Sequence, residues 1–429
     1  MKRTIEPLCA PIRDAIRVPG DKSISHRALL LAGLADGESR IRGLLRSHDC
    51  QATWDCLAAL GVEIREDAQG DVRVRGAGLR GLRRPVSALD CRRSGTTMRL
   101  LTGVLAGQPF ASLLTGHEQL LRRPMTRVVE PLRQMGARLE SEDGNAPLLV
   151  HGTALQGARI RLDVASAQVK SALLLAGLTA AGPTDVHEPG PSRDHTERML
   201  AAMGVRVRKD GGWVGVSPMG RLAPIDVEVP GDLSSAAYWL AAATLVPGSC
   251  LVLKGVGINP TRTGFLDVLR AMGGSVSLEN EWVESGEPVA DLRVEAGDLH
   301  GVTVEGDTVV RMIDEFPILA VVATQARGTT VVRDAAELRV KESDRIASTI
   351  EVLRRLGARI EGRPDGFAVE GPTRLTGGEV DGRGDHRLVM AAAVAGWVAD
   401  APVTIDGVER VEDSYPGFFD VDIERRRGR

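Results

Sequence analysis

Aromatic residues are scarce in this sequence, since Phe, Trp and Tyr together make up 3% of its 429 residues. So few rings cannot build the stacked aromatic surfaces on which single-stranded nucleic acids bind. The formal net charge of −3 also provides no excess of basic residues for a phosphate backbone. We therefore expect no nucleic-acid partner.

Paired cysteines, zinc motifs and long apolar runs are also lacking. The five cysteines include no CxxC pair and are odd in number, which argues against a disulfide framework. There is no HExxH motif and no Cys/His cluster for a metal. The longest apolar run, residues 236–246, is shorter than the ~20 residues that cross a bilayer. Residues 1–6 lack the apolar core of a signal peptide. We expect a cytoplasmic protein without a membrane segment.

What the sequence does contain is a repeat. The segment Val-Pro-Gly-Asp begins at Val18 and again at Val229, 211 residues later (229 − 18), and an Ala/Leu-rich stretch follows each copy. The second copy has Leu233 where the first has Lys22. The chain is therefore expected to consist of two similar halves whose chemistry differs.

Within these halves a smaller unit recurs six times, at intervals of about 72 residues (429/6). Each unit opens with a polar helix start and continues into a helix that is apolar almost all round, which predicts that the helix is buried. The six starts lie near Ser23, Gly95, Gln168, Leu233, Asp314 and Asp385.

A second kind of helix is amphipathic and ends in Leu-Gly or Met-Gly before an alternating strand. Glycine at this position is typical of a left-handed helix stop, and the alternation predicts a half-buried strand. Five copies end at Leu60, Met135, Met203, Met272 and Leu356. A sixth helix is expected over residues 415–423, and residues 3–10 are expected to supply the strand that its unit lacks.

These repeats predict an α/β protein of two domains with three units each. One domain is expected to span residues 19–230, and the other residues 1–18 plus 231–429, closed by the N-terminal strand. Because the chain would cross twice between them, we expect a double hinge and a site that closes between the domains.

Cations and hydroxyl groups collect at the helix starts, where unpaired backbone N–H groups already favour anions. Each start alone could be an ordinary cap or a solvated ion pair. Together they hold more cations than one phosphate requires, which favours two anionic substrates or one with several anionic groups. These cations are Lys22, Arg27, Arg123, Lys341, Arg345 and Arg387.

Carboxylates head the fifth start, at Asp314 and Glu315. They could cap the helix, or one of them could accept a proton in a cationic site. The chain has no GxxxxGK[ST] loop and no strand-linked GxGxxG, so neither ATP nor NAD binding is indicated.

Seven motifs resemble those of the 5-enolpyruvylshikimate-3-phosphate (EPSP) synthase family, in order and along the whole chain. They are PGDKSISHRALLLAGLA from Pro19, SGTTMRLL from Ser94, SAQVKSALLLAGL from Ser166, DEFPILAVVA from Asp314, ELRVKESDRI from Glu337, GDHRLVMA from Gly384 and SYPGFF from Ser414.

The resemblance implies two inside-out α/β domains, each of three βαβαββ units around buried helices. It implies the sixth step of the route to chorismate and the aromatic amino acids. In that step the 5-hydroxyl of shikimate 3-phosphate attacks phosphoenolpyruvate (PEP), and a tetrahedral intermediate loses phosphate. No metal or organic cofactor is implied. A monomer is implied, and glyphosate is a possible inhibitor.

The resemblance also assigns roles to matching positions. Lys22 would touch both substrates and help in proton transfer, Asp314 would take the proton of the 5-hydroxyl, and Glu342 would help to protonate the PEP methylene. Binding of shikimate 3-phosphate is implied for Lys22, Ser23, Arg27, Ser166, Gln168, Asp314 and Lys341. Binding of PEP is implied for Lys22, Gly95, Arg123, Gln168, Arg345 and Arg387.

Two positions depart from the family pattern. Arg92 and Arg93 stand where many members have Gly-Asn, which bears on the shape of the PEP loop and on the affinity for PEP and glyphosate. Asp413 stands where many members have Lys, and no role is assigned to it.

Two other functions were weighed. UDP-N-acetylglucosamine enolpyruvyl transferases have a similar fold, but they rely on a reactive Cys in a loop that matches residues 110–123 here, where there is none. A ligand-binding protein without activity is disfavoured because Lys22, Asp314, Lys341, Glu342 and Arg387 are all present.

Overall fold

The computed structural model describes residues 1–421, and its contacts divide the chain into two units. The N-terminal unit comprises Gly20–Pro230 together with the short segment Val283–Glu287. The C-terminal unit comprises Met1–Pro19, Gly231–Trp282 and the chain from Pro288 onward. Each unit has its own cluster of buried apolar side chains.

Thirteen α-helices and three short 3-10 helices lie in the described residues. The α-helices are Lys22–Gly33 (α1), His48–Ala59 (α2), Gly95–Ala106 (α3), Glu118–Leu121 (α4), Thr126–Gln134 (α5), Ala167–Gly177 (α6), His195–Ala202 (α7), Leu233–Leu245 (α8), Gly264–Ala271 (α9), Asp307–Arg311 (α10), Phe316–Gln325 (α11), Arg345–Arg355 (α12) and His386–Trp397 (α13). The 3-10 helices are Ala336–Val340, Val408–Asp413 and Phe418–Asp420.

The strands are short and number twenty-three in the same part of the chain. They are Lys2–Ile5 (β1), Arg13–Ile16 (β2), Glu38–Arg42 (β3), Glu63–Glu66 (β4), Val72–Arg75 (β5), Leu89–Asp90 (β6), Ser112–Thr115 (β7), Arg138–Glu142 (β8), Asn145–His151 (β9), Arg159–Arg161 (β10), Thr184–His187 (β11), Arg208–Asp210 (β12), Trp213–Val216 (β13), Asp226–Glu228 (β14), Cys250–Gly257 (β15), Ser275–Glu284 (β16), Glu287–Glu295 (β17), Thr303–Val304 (β18), Gly328–Val332 (β19), Arg359–Arg363 (β20), Gly366–Gly371 (β21), Gly378–Asp381 (β22) and Val403–Asp406 (β23).

Over residues 1–421, six sheets repeat one plan, three in each unit. A parallel pair is followed by an antiparallel neighbour, as in β6–β7–β9–β8, where β6 and β7 are parallel and the other pairs antiparallel. The N-terminal unit also holds β14–β3–β5–β4 and β10–β11–β13–β12. The C-terminal unit holds β2–β15–β17–β16, β18–β19–β21–β20 and the three-stranded β22–β23–β1. The predicted α/β fold of six repeated units is confirmed.

The smallest sheet contains the N-terminus of the chain. Strand β1 pairs antiparallel with β23, with Lys2 opposite Asp406 and Ile5 opposite Val403. Ile5 is buried against the C-terminal core. The N-terminal strand therefore takes the place that a hairpin strand fills in the other five sheets.

Six helices are buried along nearly their whole length, as predicted: α1, α3 and α6 in one unit, and α8, α11 and α13 in the other. The predicted left-handed stops after the amphipathic helices are also present, for example at Gly61 and Gly136 with φ of 89° and 85°.

The prediction of a helix over residues 415–423 is wrong for the residues that the structure describes. A single 3-10 turn, Phe418–Asp420, lies there, and residues 422 and 423 fall outside the described residues. Gly417 takes a left-handed φ of 75°. A right-handed helix that begins at residue 415 cannot continue through a residue in this conformation.

The close packing of α3 on α6 predicts that Gly103→Ala destabilises the N-terminal unit. An added Cβ would lie 2.2 Å from the backbone oxygen of Ala172. We expect the free energy of unfolding to fall by about 1–3 kcal/mol, although Ala is normally the better helix former. Urea titration measures the change. Gly220→Ala is the control, because its Cβ would meet no atom within 4 Å. Equal stability of the two variants would contradict the packing argument.

Candidate active site

The first turns of the buried helices carry most of the polar side chains that the sequence singles out. Five of the six helices are capped by a side chain that accepts a hydrogen bond from a backbone N–H of its own first turn. These caps are Asp21 (α1), Ser94 (α3), Ser166 (α6), Asp232 (α8) and Asp385 (α13). The helix starts therefore present ordered side chains.

Helix α11 is the exception, because no side chain caps it. Glu315 is buried and instead accepts a short hydrogen bond from the Ser234 hydroxyl. Asp314 is 16% exposed and faces Arg345. The interpretation of this acidic pair as a helix cap is therefore not supported, because Asp314 pairs with Arg345 and Glu315 with Ser234.

Arg345 is the centre of the polar cluster in the C-terminal unit. Its side chain is 1% exposed and is held by three carboxylates. They are those of Asp314 (Nη1 to Oδ1, 3.0 Å), Glu342 (Nη2 to Oε2, 2.7 Å) and Asp385 (Nε to Oδ2, 2.9 Å). Burial acts to lower the pKa of Arg345, but these carboxylates outweigh it and the pKa is raised. The guanidinium thus stays charged and orients the partly exposed carboxylates of Asp314 and Glu342.

Lys341 lies beside this cluster, and its pKa moves in the opposite direction. Burial lowers the pKa of Lys341, although Asp314 and Glu337 act to raise it, and the positive charge of Arg345 adds to the lowering. The ammonium therefore gives up its proton more readily than an exposed lysine does.

Arg387, in the first turn of α13, is a buried cation without an ion pair to any described carboxylate. Its Nε has no hydrogen-bond partner in the described chain. Burial acts to lower the pKa of Arg387, while Tyr238 and the charges of Asp314 and Asp232 raise it. A buried guanidinium of this kind is suited to pairing with an anion from outside the chain.

In the N-terminal unit, Lys22 and Ser23 lie in the first turn of α1. The Lys22 ammonium donates to Asp49 Oδ2 at 3.1 Å, and both side chains remain partly exposed. The Ser23 hydroxyl accepts from Arg193 Nη1 at 3.1 Å. Arg193 was not predicted from the sequence, because it precedes an amphipathic helix and not one of the buried helices.

Arg27 is buried one turn further along α1, and its donors point at the protein. Nε donates to Thr196 at 2.7 Å, Nη2 to Ser171 at 2.9 Å, and Nη1 to the backbone oxygen of Ser23 at 3.0 Å. Burial lowers the pKa of Arg27 to about 10, although Glu197 acts to raise it. Arg27 therefore joins three segments of the N-terminal unit.

Gln168 bridges the starts of α3 and α6. Its amide donates to the Thr96 hydroxyl at 2.9 Å and accepts from Arg99 Nη1 at 2.6 Å. Sequence reasoning did not assign a role to Arg99. It had no signal for one, because this position lies inside an apolar helix.

Gly95 and Arg123 also meet in this unit. A Cβ on Gly95 would lie 2.9 Å from Arg123 Nη1, so the glycine lets the guanidinium lie close to the backbone. Arg123 is 8% exposed. The structure thus brings both predicted residues together at the start of α3.

Arg92 and Arg93, which depart from the family pattern, contact side chains of the N-terminal unit. Arg92 takes a left-handed φ of 51°, a conformation natural for the glycine of many family members, and its side chain pairs with Asp55 at 2.6 Å. Arg93 lies 3.5 Å from His117 Nδ1. The loop therefore keeps a glycine-like backbone despite its sequence.

The described residues include no candidate metal site and no candidate membrane span. No group of His, Cys, Asp and Glu in them could hold a metal ion. Over the same residues, no helix is both long enough and apolar enough to span a membrane.

Comparison with known proteins shows which family the chain resembles. Residues 9–421 match the family model described as EPSP synthase (3-phosphoshikimate 1-carboxyvinyltransferase). Proteins with the latter name are similar along almost the whole chain. That of Brevibacillus brevis is 50% identical over 413 residues, covering 96% of each chain, and that of an Anaeromyxobacter species is 54% identical over 412 residues, covering 95% of each.

A solved structure is also similar. The EPSP synthase of Acinetobacter baumannii is 41% identical, with a TM-score of 0.87, and the match covers 98% of this chain and 97% of that one.

The buried His26 on α1 predicts a pH dependence of stability. Burial lowers the pKa of His26 well below its ordinary 6.5, helped by the charges of Lys22 and Arg27. Below pH 6.5 His26 is protonated in the unfolded chain but not in the folded one. The free energy of unfolding therefore decreases as the pH is lowered, by about 1.4 kcal/mol per pH unit from this residue.

His26→Gln should remove this slope from urea unfolding measured between pH 7.5 and 5.5. Loss of the hydrogen bond between His26 Nδ1 and Thr53 Oγ1 (2.7 Å) would lower the free energy of unfolding equally at every pH, so it would not change the slope. His300→Gln, at an exposed position, is the control and should run parallel to wild type. A parallel curve for His26→Gln as well would contradict the prediction.

Proposed function

The chain belongs to the EPSP synthase family, and from this premise we propose how its residues divide the reaction between them. The chain transfers the enolpyruvyl group of PEP to the 5-hydroxyl of shikimate 3-phosphate and releases phosphate. This is the sixth step of the shikimate pathway. The residue roles below are supported by the contacts of the described side chains.

The contact of Arg345 with both Asp314 and Glu342 carries the proposal for catalysis. The reaction needs a base for the 5-hydroxyl and a partner that protonates the PEP methylene. One buried guanidinium holds both acids, and each keeps part of its surface exposed. We assign Asp314 as the base and Glu342 as the partner in protonation, with Lys22 assisting proton transfer.

Arg345 is assigned to PEP, and its donor count implies an exchange of partners. A guanidinium has five N–H groups. One is directed at Asp314, one at Glu342, one at Asp385 Oδ2, and a weaker one at Asp385 Oδ1 at 3.4 Å. One N–H is left over, so a substrate anion that binds through two N–H groups must displace at least one of these four carboxylate contacts.

Arg387 is the second PEP residue in this unit. Because it is buried and lacks an ion pair with any described carboxylate, a substrate anion would supply the missing partner. Lys341 is assigned to shikimate 3-phosphate, together with Asp314.

The N-terminal unit supplies the remaining roles. Ser23, Arg27, Ser166 and Lys22 are assigned to shikimate 3-phosphate, and the contact of Arg193 with Ser23 adds Arg193 to them. Gly95 and Arg123 are assigned to PEP, because the guanidinium lies against the bare glycine backbone. Gln168 is assigned to both substrates and Lys22 also to PEP.

We also propose the wider properties that the resemblance suggests. They are a monomer in the cytoplasm, no membrane or nucleic-acid partner, inhibition by glyphosate, and domains that divide at 19–230 and 1–18 plus 231–429.

Phosphate release tests the function directly. The purified protein is expected to release phosphate from PEP only when shikimate 3-phosphate is present. UDP-N-acetylglucosamine in its place should give no release. Turnover with the nucleotide sugar would overturn the assignment, and binding without turnover would indicate a protein that has lost its activity.

Asp314→Ala tests the proposed base. We expect kcat to fall by about 10²–10⁴-fold, the usual contribution of general base catalysis, with both KM values changed much less. Asp298→Ala, at a side chain that is 92% exposed, is the control and should retain wild-type rates. Loss of substrate binding without a fall in kcat would give Asp314 a structural role.

A further inference from the structure

Lys170 is a buried cation for which the proposed mechanism has no use. It lies on α6, one turn after Ser166, and its side chain is 3% exposed. Its ammonium has three donors. It forms ion pairs with Glu188 Oε2 and Glu197 Oε1, both at 2.8 Å, and donates a hydrogen bond to the backbone oxygen of Ser192 at 3.5 Å.

The first of these partners reaches the start of α6. Glu188 also accepts from the backbone N–H of Ser166 at 3.1 Å and from the Ser192 hydroxyl at 2.6 Å. Its side chain is 8% exposed. Lys170 therefore balances the charge of Glu188, the carboxylate that accepts a hydrogen bond from the backbone of Ser166.

The other two partners lie on the segment that runs into α7. Ser192 immediately precedes Arg193, which donates to the Ser23 hydroxyl. Glu197 immediately follows Thr196, which accepts from Arg27 Nε at 2.7 Å. Lys170 thus contacts a residue beside each of these two hydrogen bonds between the 192–197 segment and α1.

We propose that Lys170 is a positioning residue for shikimate 3-phosphate. It holds the start of α6 and the segment at residues 192–197 in the arrangement that presents Ser23, Ser166 and Arg193 to that substrate. The proposal rests on the assignment of these three residues under the proposed function. Lys170 itself touches no assigned substrate group, so it is not a catalytic residue.

The electrostatics fit this role. Burial acts to lower the pKa of Lys170, but Glu197 and Glu188 raise it above its ordinary value, so the ammonium stays charged. Arg27 brings a second buried cation toward Glu197. The two cations balance the two carboxylates, which explains how four charged side chains remain together out of water.

Lys170→Met alone would leave two carboxylates facing each other, so the test uses Lys170→Met/Glu197→Gln. This double variant keeps the same net charge in the cluster as wild type. Measurement of its melting temperature checks that it is folded. Glu188→Gln is a milder, isosteric test of the contact between Lys170 and Glu188.

We expect the double variant to raise KM for shikimate 3-phosphate by about tenfold. This factor corresponds to the loss of one charge-assisted hydrogen bond to the substrate. KM for PEP should change less than about threefold, and Glu188→Gln should shift the same KM in the same direction. Lys254→Met is the matched control, because Lys254 pairs with Asp291 at 2.7 Å in the C-terminal unit. It should leave both KM values unchanged.

An unchanged KM for shikimate 3-phosphate in the folded double variant would overturn the proposal. A proportional rise of both KM values would also overturn it, since that indicates general loosening of the fold. Ser166→Ala separates the premise from the inference. If this variant leaves KM for shikimate 3-phosphate unchanged, the assignment of Ser166 fails, and the proposal falls with it.

Discussion

Burial of six helices on all sides is the constraint on which the rest of the structure depends. A helix that is apolar all round leaves no face for water. Its unpaired first N–H groups must still find acceptors, and its positive end favours anions. Short polar caps such as Asp21 and Asp385 meet the first demand, and cations such as Lys22 and Arg387 lie beside them. The same packing that stabilises each unit therefore gathers the polar residues at the helix starts.

Charge balance then decides what each polar residue can do. In the C-terminal unit, three carboxylates keep Arg345 protonated and fixed, while nearby Lys341 holds its proton less tightly. In the N-terminal unit, Lys170 is engaged by buried acids and serves the structure, whereas Lys22 stays partly exposed beside Asp49. Identical residue types thus divide into structural and reactive groups according to burial and partners.

The sequence was sufficient to predict the six buried helices and the repeated α/β units, because both follow from periodicity and from polar residues at fixed spacing. It also pointed to the helix-start residues, whose contacts support their assigned roles. It could not predict that Glu315 would bond Ser234, or that Lys170 would lie between Glu188 and Glu197. These contacts join segments far apart in sequence, so no local pattern records them. The prediction of a last helix failed because Gly417 adopts a left-handed φ, which the apolar spacing around it does not reveal.

The central claim is that side chains at the starts of the buried helices bind and convert the two substrates. The most direct measurement is a crystal structure of the Asp314→Ala variant with shikimate 3-phosphate and PEP bound. We predict hydrogen bonds from Ser23 and Ser166 to shikimate 3-phosphate, and from Arg387 and Arg345 to PEP, with at least one carboxylate contact of Arg345 displaced. Substrates bound away from these helix starts, or an Arg345 that keeps every carboxylate contact while PEP is bound elsewhere, would contradict the account.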